Sequence, residues 1–210
     1  MFVSALLATA WLAAAGPAAC PAEPRLTIAV FAEHHPPAVR STYSLGELRD
    51  LAAGSGRPGR HAPLGFYAGA FGYTVEVTAE EAGSPGCPPA MHVQVRMFLA
   101  DRLVEVGTDL HTRQCQPEAV LSHYFAHADQ DDKLLSRYAQ RALAMFDRMP
   151  HSELFGAPVQ GEAREVVAVA VRRAMDRLLQ PYDEERRQAL AAADSDEELA
   201  KLRGACSRDL

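Results

Sequence analysis

The rhythm of hydrophobic and polar residues changes about halfway along the chain. Arg25–Phe31 (RLTIAVF) is dense in β-branched and apolar residues and is stopped by Pro36-Pro37, which predicts a first strand. Gly72–Glu80 (GYTVEVTAE) alternates Tyr73, Val75 and Val77 with polar neighbours, and Met91–Leu99 (MHVQVRMFL) alternates Met91, Val93, Val95 and Met97. A period of two places successive side chains on opposite faces, as in a half-buried strand. Gly83–Pro89 (GSPGCPP) reads as the turn between them, and Arg102–Val106 as a further strand of the same meander. Sequential strands joined by short turns favour antiparallel pairing. Ahead of the meander, Ser44–Ala53 (SLGELRDLAA) opens with Ser44 and Glu47 in capping-box spacing and carries Leu45, Leu48 and Leu51, so a short helix is expected there. Gly54–Pro63 is a loop by its Gly and Pro content.

From Pro117 onward the period is helical. Pro117 suits a first helical turn, where its missing N–H costs nothing. That helix can run to about Met149, with Pro150 ending it and Asp129–Asp132 as a point where it could kink. A second helix is expected over about Glu162–Leu179 and a third over about Asp183–Leu202. The fold class is therefore α+β: a small antiparallel sheet packed on a long helix that carries two histidines, followed by C-terminal helices.

The N-terminal segment stands apart from this pattern. Residues 1–22 hold no charged side chain, and Ala5–Ala15 is apolar apart from Thr9 before Gly16-Pro17 breaks it. Too short to span a bilayer as a helix, it reads as a secretory signal peptide, although no Lys or Arg precedes the apolar stretch. An uncleaved membrane anchor or a misassigned start is the alternative. A lipid anchor at Cys20 is disfavoured, because Pro17 stands where that motif wants an aliphatic residue. The expected division is a leader over 1–22, an α+β domain over 23–155 and a helical extension over 156–210. No stable membrane span remains once the leader is removed.

Export, to the periplasm or outside the cell, changes the meaning of the four cysteines, Cys20, Cys87, Cys115 and Cys206. In an oxidising compartment disulfides persist. Cys87 with Cys115 is then the expected pair, typically adding about 2–4 kcal/mol, and Cys206 is left over unless Cys20 survives. The 27 acidic against 21 basic residues, a formal charge of −6, argue against a nucleic-acid partner, which needs a basic face.

Candidate chemistry concentrates in Cys115–Asp132 (CQPEAVLSHYFAHADQDD). His123 and His127 are four residues apart, one turn on a helix, where two imidazoles can chelate one zinc ion. They share a helical stripe with Val120, Asp131, Leu134, Tyr138, Ala142 and Met145. Asp131 lies one turn further on, and His151, Glu153, Glu162 and Glu165 are candidates for a third ligand from later segments. The competing reading is a pair of ordinary packing histidines.

Together Cys87, the VQVRMFL strand, Cys115 and VLSHYFAH resemble a family of bacterial exported proteins regarded as zinc-dependent proteases of the HExxH type, otherwise of unknown function. SLGELRDLAA and APLGFYAG are loosely similar to what precedes these features in that family, so the resemblance covers about residues 40–150. It implies a zinc-metalloprotease-like scaffold with His123 and His127 as metal ligands. It does not carry over peptidase activity. The position that holds the general-base Glu in the family holds Tyr124 here, and a phenol with a pKa near 10 is a poor base at neutral pH. Glu118 precedes His123 by five residues and faces elsewhere.

Other histidines carry less. His34-His35 reads as a polar strand end, His61 with Arg57 and Arg60 as a loop of mixed polarity, and His92 as an exposed residue on the polar phase of its strand. Arg172, Arg173, Arg177, Arg186 and Arg187 are interleaved with acids, as on an ion-paired helix face. Three expectations follow: a degenerate, non-hydrolytic relative that binds metal and acts on a protein or peptide by binding; an active zinc peptidase using another base; or a structural, partner-binding envelope protein without metal.

Overall fold

A computed structural model describes residues 25–54, 63–80, 87, 90–111, 115–155 and 163–205. The leader, Cys20, His61, Glu162, Cys206 and most of the expected loop at 54–63 and turn at 83–89 lie outside the described residues, as does the His151 side chain.

The chain is α+β. In order it forms β1 (Leu26–Glu33), β2 (Ala38–Arg40), α1 (Leu45–Gly54), β3 (Gly65–Ala79), β4 (Met91–Val106), α2 (Pro117–Phe146), α3 (His151–Phe155), α4 (Ala163–Leu179), α5 (Tyr182–Ala193) and α6 (Asp196–Gly204). The capping box on α1 forms as expected: Glu47 Oε2 accepts from Ser44 N–H at 2.7 Å and Ser44 Oγ accepts from Glu47 N–H at 3.3 Å.

The sheet corrects the expectation of purely antiparallel strands. β3 and β4 do form an antiparallel hairpin, from Ala79 opposite Met91 to Gly65 opposite Val106. β1 and β2, however, run parallel to β4 along its other edge, with Leu26 opposite Met91 and Ala38 opposite Leu103. The first strand does not join β3. It crosses to the far side of β4, so the hairpin return leaves β4 pointing the same way as β1.

The two strands expected over Met91–Leu99 and Arg102–Val106 are one. Between Ala100 and Leu103, two β4 residues, Asp101 and Arg102, stand opposite Gly69 alone, and Asp101 takes a φ of 51°. This is a β-bulge, which inserts one residue and reverses the side-chain phase. Before it the odd positions Met91, Val93, Val95, Met97 and Leu99 are buried; after it the even positions Arg102, Val104 and Val106 are. The bulge makes one long strand read as two.

That inward face packs on α2, one helix of 30 residues that runs through Asp129–Asp132. Two apolar clusters result. One joins Met91–Leu99 of β4 to the C-terminal half of α2 and to α4 through Val167, Val171 and Met175. The other joins Val104 and Val106 to Leu45, Leu48, Cys115, Val120, Tyr124 and Leu202.

A buried polar layer lies between α2 and the bulge. Arg102 donates to Ala128 O at 3.0 Å and to both carboxylate oxygens of Asp132, at 3.0 and 2.9 Å. Asp131 accepts from Tyr67 Oη at 2.9 Å and from Arg186 Nε and Nη2 at 2.8 and 2.6 Å. Charges this deep need partners, and each has them.

The fold also corrects the expected Cys87–Cys115 bond. Cys87 precedes the start of β4, whereas Cys115 is buried with Val104 and Val106 at its end. The 16 residues of β4 span roughly 50 Å of extended chain. A disulfide tolerates Cα separations up to about 7 Å.

Candidate metal centre

α5 lies antiparallel against α2, and three contacts fix the register. Tyr182 meets the Tyr138 ring edge-on at 5.1 Å, Arg186 binds Asp131, and Asp194, the residue capping the end of α5, reaches His123 and His127. Tyr182, Arg186 and Asp194 recur at multiples of four, on one helix face. On α2 the facing stripe descends through Tyr138, Asp131, His127 and His123.

Asp194 is anchored from both sides. Beyond it Ser195 begins α6 as a cap, its Oγ accepting from Glu198 N–H at 3.3 Å. α6 then buries Leu202 beside Val120 and Tyr124, and Ala205 O accepts from Gln116 N–H at 2.8 Å.

The result is a compact triangle. His123 Nε2 and His127 Nε2 are 3.3 Å apart, and Asp194 Oδ1 lies 3.2 Å from the first and 3.0 Å from the second. A tetrahedral zinc with bonds of 2.0–2.1 Å sets its ligands about 3.3–3.4 Å apart. The two imidazole side chains are 7% and 8% exposed and the carboxylate 48%, so the rings are fixed in the wall and the acid sits at the mouth. Among the described residues, His123, His127 and Asp194 are a group that could hold a metal ion. Burial works to raise the Asp194 carboxyl, but hydrogen bonds from His123 and His127 outweigh it and hold the group well below the usual carboxylate range.

Tyr124 shares the second apolar cluster and is not positioned as a base. Its ring stands edge-on to His123 and stacks on His127, with centroids 5.0 and 6.0 Å away. Burial, and next the Asp194 charge, push this phenol well above its ordinary value against the opposing pull of the backbone at Gly65 and Leu64, so it stays neutral. Gly65 is required by this packing: a Cβ there would lie 2.7 Å from Tyr124 Cε2 and 2.2 Å from Glu105 O.

The His pair expected from the sequence thus comes together, while the third acid comes from a place not foreseen. Asp131 is consumed by Arg186 and Tyr67. Glu153 and Glu165 line a cleft between α3 and α4 with Arg173, and Glu118 is exposed on the first turn of α2. The signal that could have pointed to Asp194 is the Ser195–Glu198 capping box, which restarts a helix and leaves Asp194 in the corner before it.

His34 binds Asp132 through Nδ1 at 2.9 Å and faces Ser136 Oγ through Nε2 at 3.2 Å. The connectivity is that of a nucleophile triad. Ser136, however, lies in the middle of α2, where the surrounding amides are spent on the helix and offer no oxyanion site. His92 is partly exposed beside Glu80, at 3.0 Å.

In comparisons with known proteins, no family model, curated protein or solved structure matches the chain.

Proposed function

We propose that the protein is an exported zinc-binding protein on a metalloprotease-like scaffold, with His123, His127 and Asp194 as ligands and the hydrolytic base missing. One observation carries this reading: three donor atoms from two helices converge at 3.0–3.3 Å, the spacing of a tetrahedral site. Two imidazoles and a carboxylate suit zinc, and three protein ligands leave a fourth position open. A zinc ion there would supply a Lewis acid and an acidified water. The residue beside the first histidine is a neutral, buried Tyr124, so the chain offers no base there. General-base catalysis is worth about 10²–10⁴-fold, and its loss leaves binding of a protein or peptide as the role.

The test is metal content and activity of the mature protein after zinc loading and dialysis. The expected result is close to one zinc per chain, lost in His123→Ala and in Asp194→Asn, retained in Tyr124→Phe, with no cleavage of peptide substrates. No zinc in the wild type, and unchanged stability in His123→Ala, would leave the histidines as packing residues.

Glu198 supports a second reading, an active peptidase. It stands on α6 within electrostatic reach of His123, but the Lys201 ammonium at 2.7 Å lowers its pKa and weakens it as a base. Zinc-restored cleavage that Glu198→Gln abolishes would favour this reading over the first.

A further inference from the structure

The cysteines carry an assignment that the Cys87–Cys115 expectation misses. Neither Cys87 nor Cys115 is a free thiol; both are disulfide-bonded. The length of β4 keeps them from each other. The chain holds two other cysteines, Cys20 and Cys206.

The neighbours on the sheet and helices divide these partners. Gln116 N–H, next to Cys115, donates to Ala205 O, next to Cys206, at 2.8 Å. Cys115 and Cys206 are the residues adjoining this bonded pair in sequence, and a disulfide joins Cα atoms about 4.4–6.8 Å apart. At the far end of the sheet, Met91 N–H donates to Arg25 O at 2.8 Å and Leu26 pairs with Met91. β1 and β4 are parallel, and their first residues stand opposite each other. Cys20 is five residues before Arg25 and Cys87 four before Met91.

We propose that the chain carries two disulfides, Cys115–Cys206 and Cys20–Cys87. Each forms by thiol–disulfide exchange: two thiols lose two protons and two electrons to an external disulfide, which leaves as a dithiol. Two consequences follow. Cys20 belongs to the folded protein, so leader cleavage falls ahead of it. Cys115–Cys206 ties the end of α6 to the start of α2, closing a covalent loop around the His123–His127–Asp194 triangle. This second consequence rests on the proposed zinc site. The bond acts as a positioning support for Asp194, not as a ligand.

The experiment is a tryptic map of the full chain, exported to an oxidising compartment, alkylated without reduction and analysed by mass spectrometry. Cleavage after Arg and Lys places the four cysteines on separate peptides, because Arg25, Arg60, Arg96, Arg113, Lys133 and Arg203 lie between or beside them. The expected links join peptide 114–133 to 204–208, and the N-terminal peptide ending at Arg25 to 61–96. A 61–96 to 114–133 link, any other pairing, or alkylated Cys87 or Cys115 overturns the assignment. Zinc titration of Cys206→Ser then tests the support role. A loss of about 10–100-fold in affinity is expected, as when other ligand-orienting contacts are removed, with the Cys20–Cys87 link intact in the same variant. Wild-type affinity in Cys206→Ser overturns the support role. A wild-type protein with both links and no zinc binding refutes the metal reading and leaves the pairing standing.

Discussion

Arg186→Met tests whether α5 is locked to α2 by the buried ion pair. Asp131 is 1% exposed and takes two charge-assisted hydrogen bonds from Arg186, at 2.8 and 2.6 Å, plus one from Tyr67 at 2.9 Å. Removing the guanidinium leaves a buried carboxylate with one neutral donor. Breaking a buried pair in this way costs about 3–5 kcal/mol. The Arg186 side chain is 19% exposed, so water can reach the vacated space, which favours the lower end, about 3 kcal/mol. For a chain of this size that is a fall of roughly 6–12 °C in Tm, at about 2–4 °C per kcal/mol. The assay is urea unfolding followed by far-UV circular dichroism at neutral pH on zinc-free protein. The double variant Asp131→Asn with Arg186→Met removes the stranded charge and recovers most of the loss, a coupling above about 1 kcal/mol. A single-variant loss under about 1 kcal/mol, or a double variant as weak as the sum of the singles, refutes the argument.

Two further outcomes follow from the same packing. Tyr67 and Tyr73 are pushed up to about 12, in each case chiefly by burial and then by a neighbouring acid, Asp131 and Asp176 respectively. Between about pH 10 and 12 the unfolded chain loses these protons while the folded one keeps them. The contribution is therefore complete below pH 10 and falls as pH rises to 12. Urea midpoints at pH 8, 10 and 11 check this, and a flat profile above pH 10 contradicts it. Gly65→Ala sets a methyl 2.2 Å from Glu105 O and 2.7 Å from the Tyr124 ring. Overpacking of that kind costs about 1–3 kcal/mol. Since that ring stacks on His127, zinc affinity falls with the thermal midpoint; a midpoint within 1 °C of wild type counts against the close packing.

Local periodicity made much of this fold legible, and its failures have physical causes. The α1 capping box and the long helix from Pro117 are both short-range features, set by residues within a turn or two of one another. What periodicity cannot carry is which edge of β4 a distant strand takes, and β1 runs parallel there. Nor does a strict period of two survive an inserted residue, so the Asp101–Arg102 bulge split one strand into two. β3 begins at Gly65, not Gly72, because the aromatic- and Gly-rich start of the strand, GFYAGAFG, does not alternate.

The candidate site divides along the same line. A His pair one turn apart is a local pattern, visible from one helix. Its third member depends on a helix–helix register that no single segment encodes. Once Arg186 is seen to answer Asp131, and Tyr182 to answer Tyr138, antiparallel packing carries Asp194, eight residues beyond Arg186 on that face, toward His123 and His127. The helix must then end, because the carboxylate has to turn inward from its tip, and Ser195 with Glu198 restarts the chain as α6. The same register explains why Asp131, the acid nearest in sequence on the His stripe, is not part of the triangle: it is neutralised by the residue that aligns α5. The buried ion pair sets the position and Asp194 closes the triangle, which is why loss of Arg186 should weaken zinc binding although Arg186 touches neither histidine.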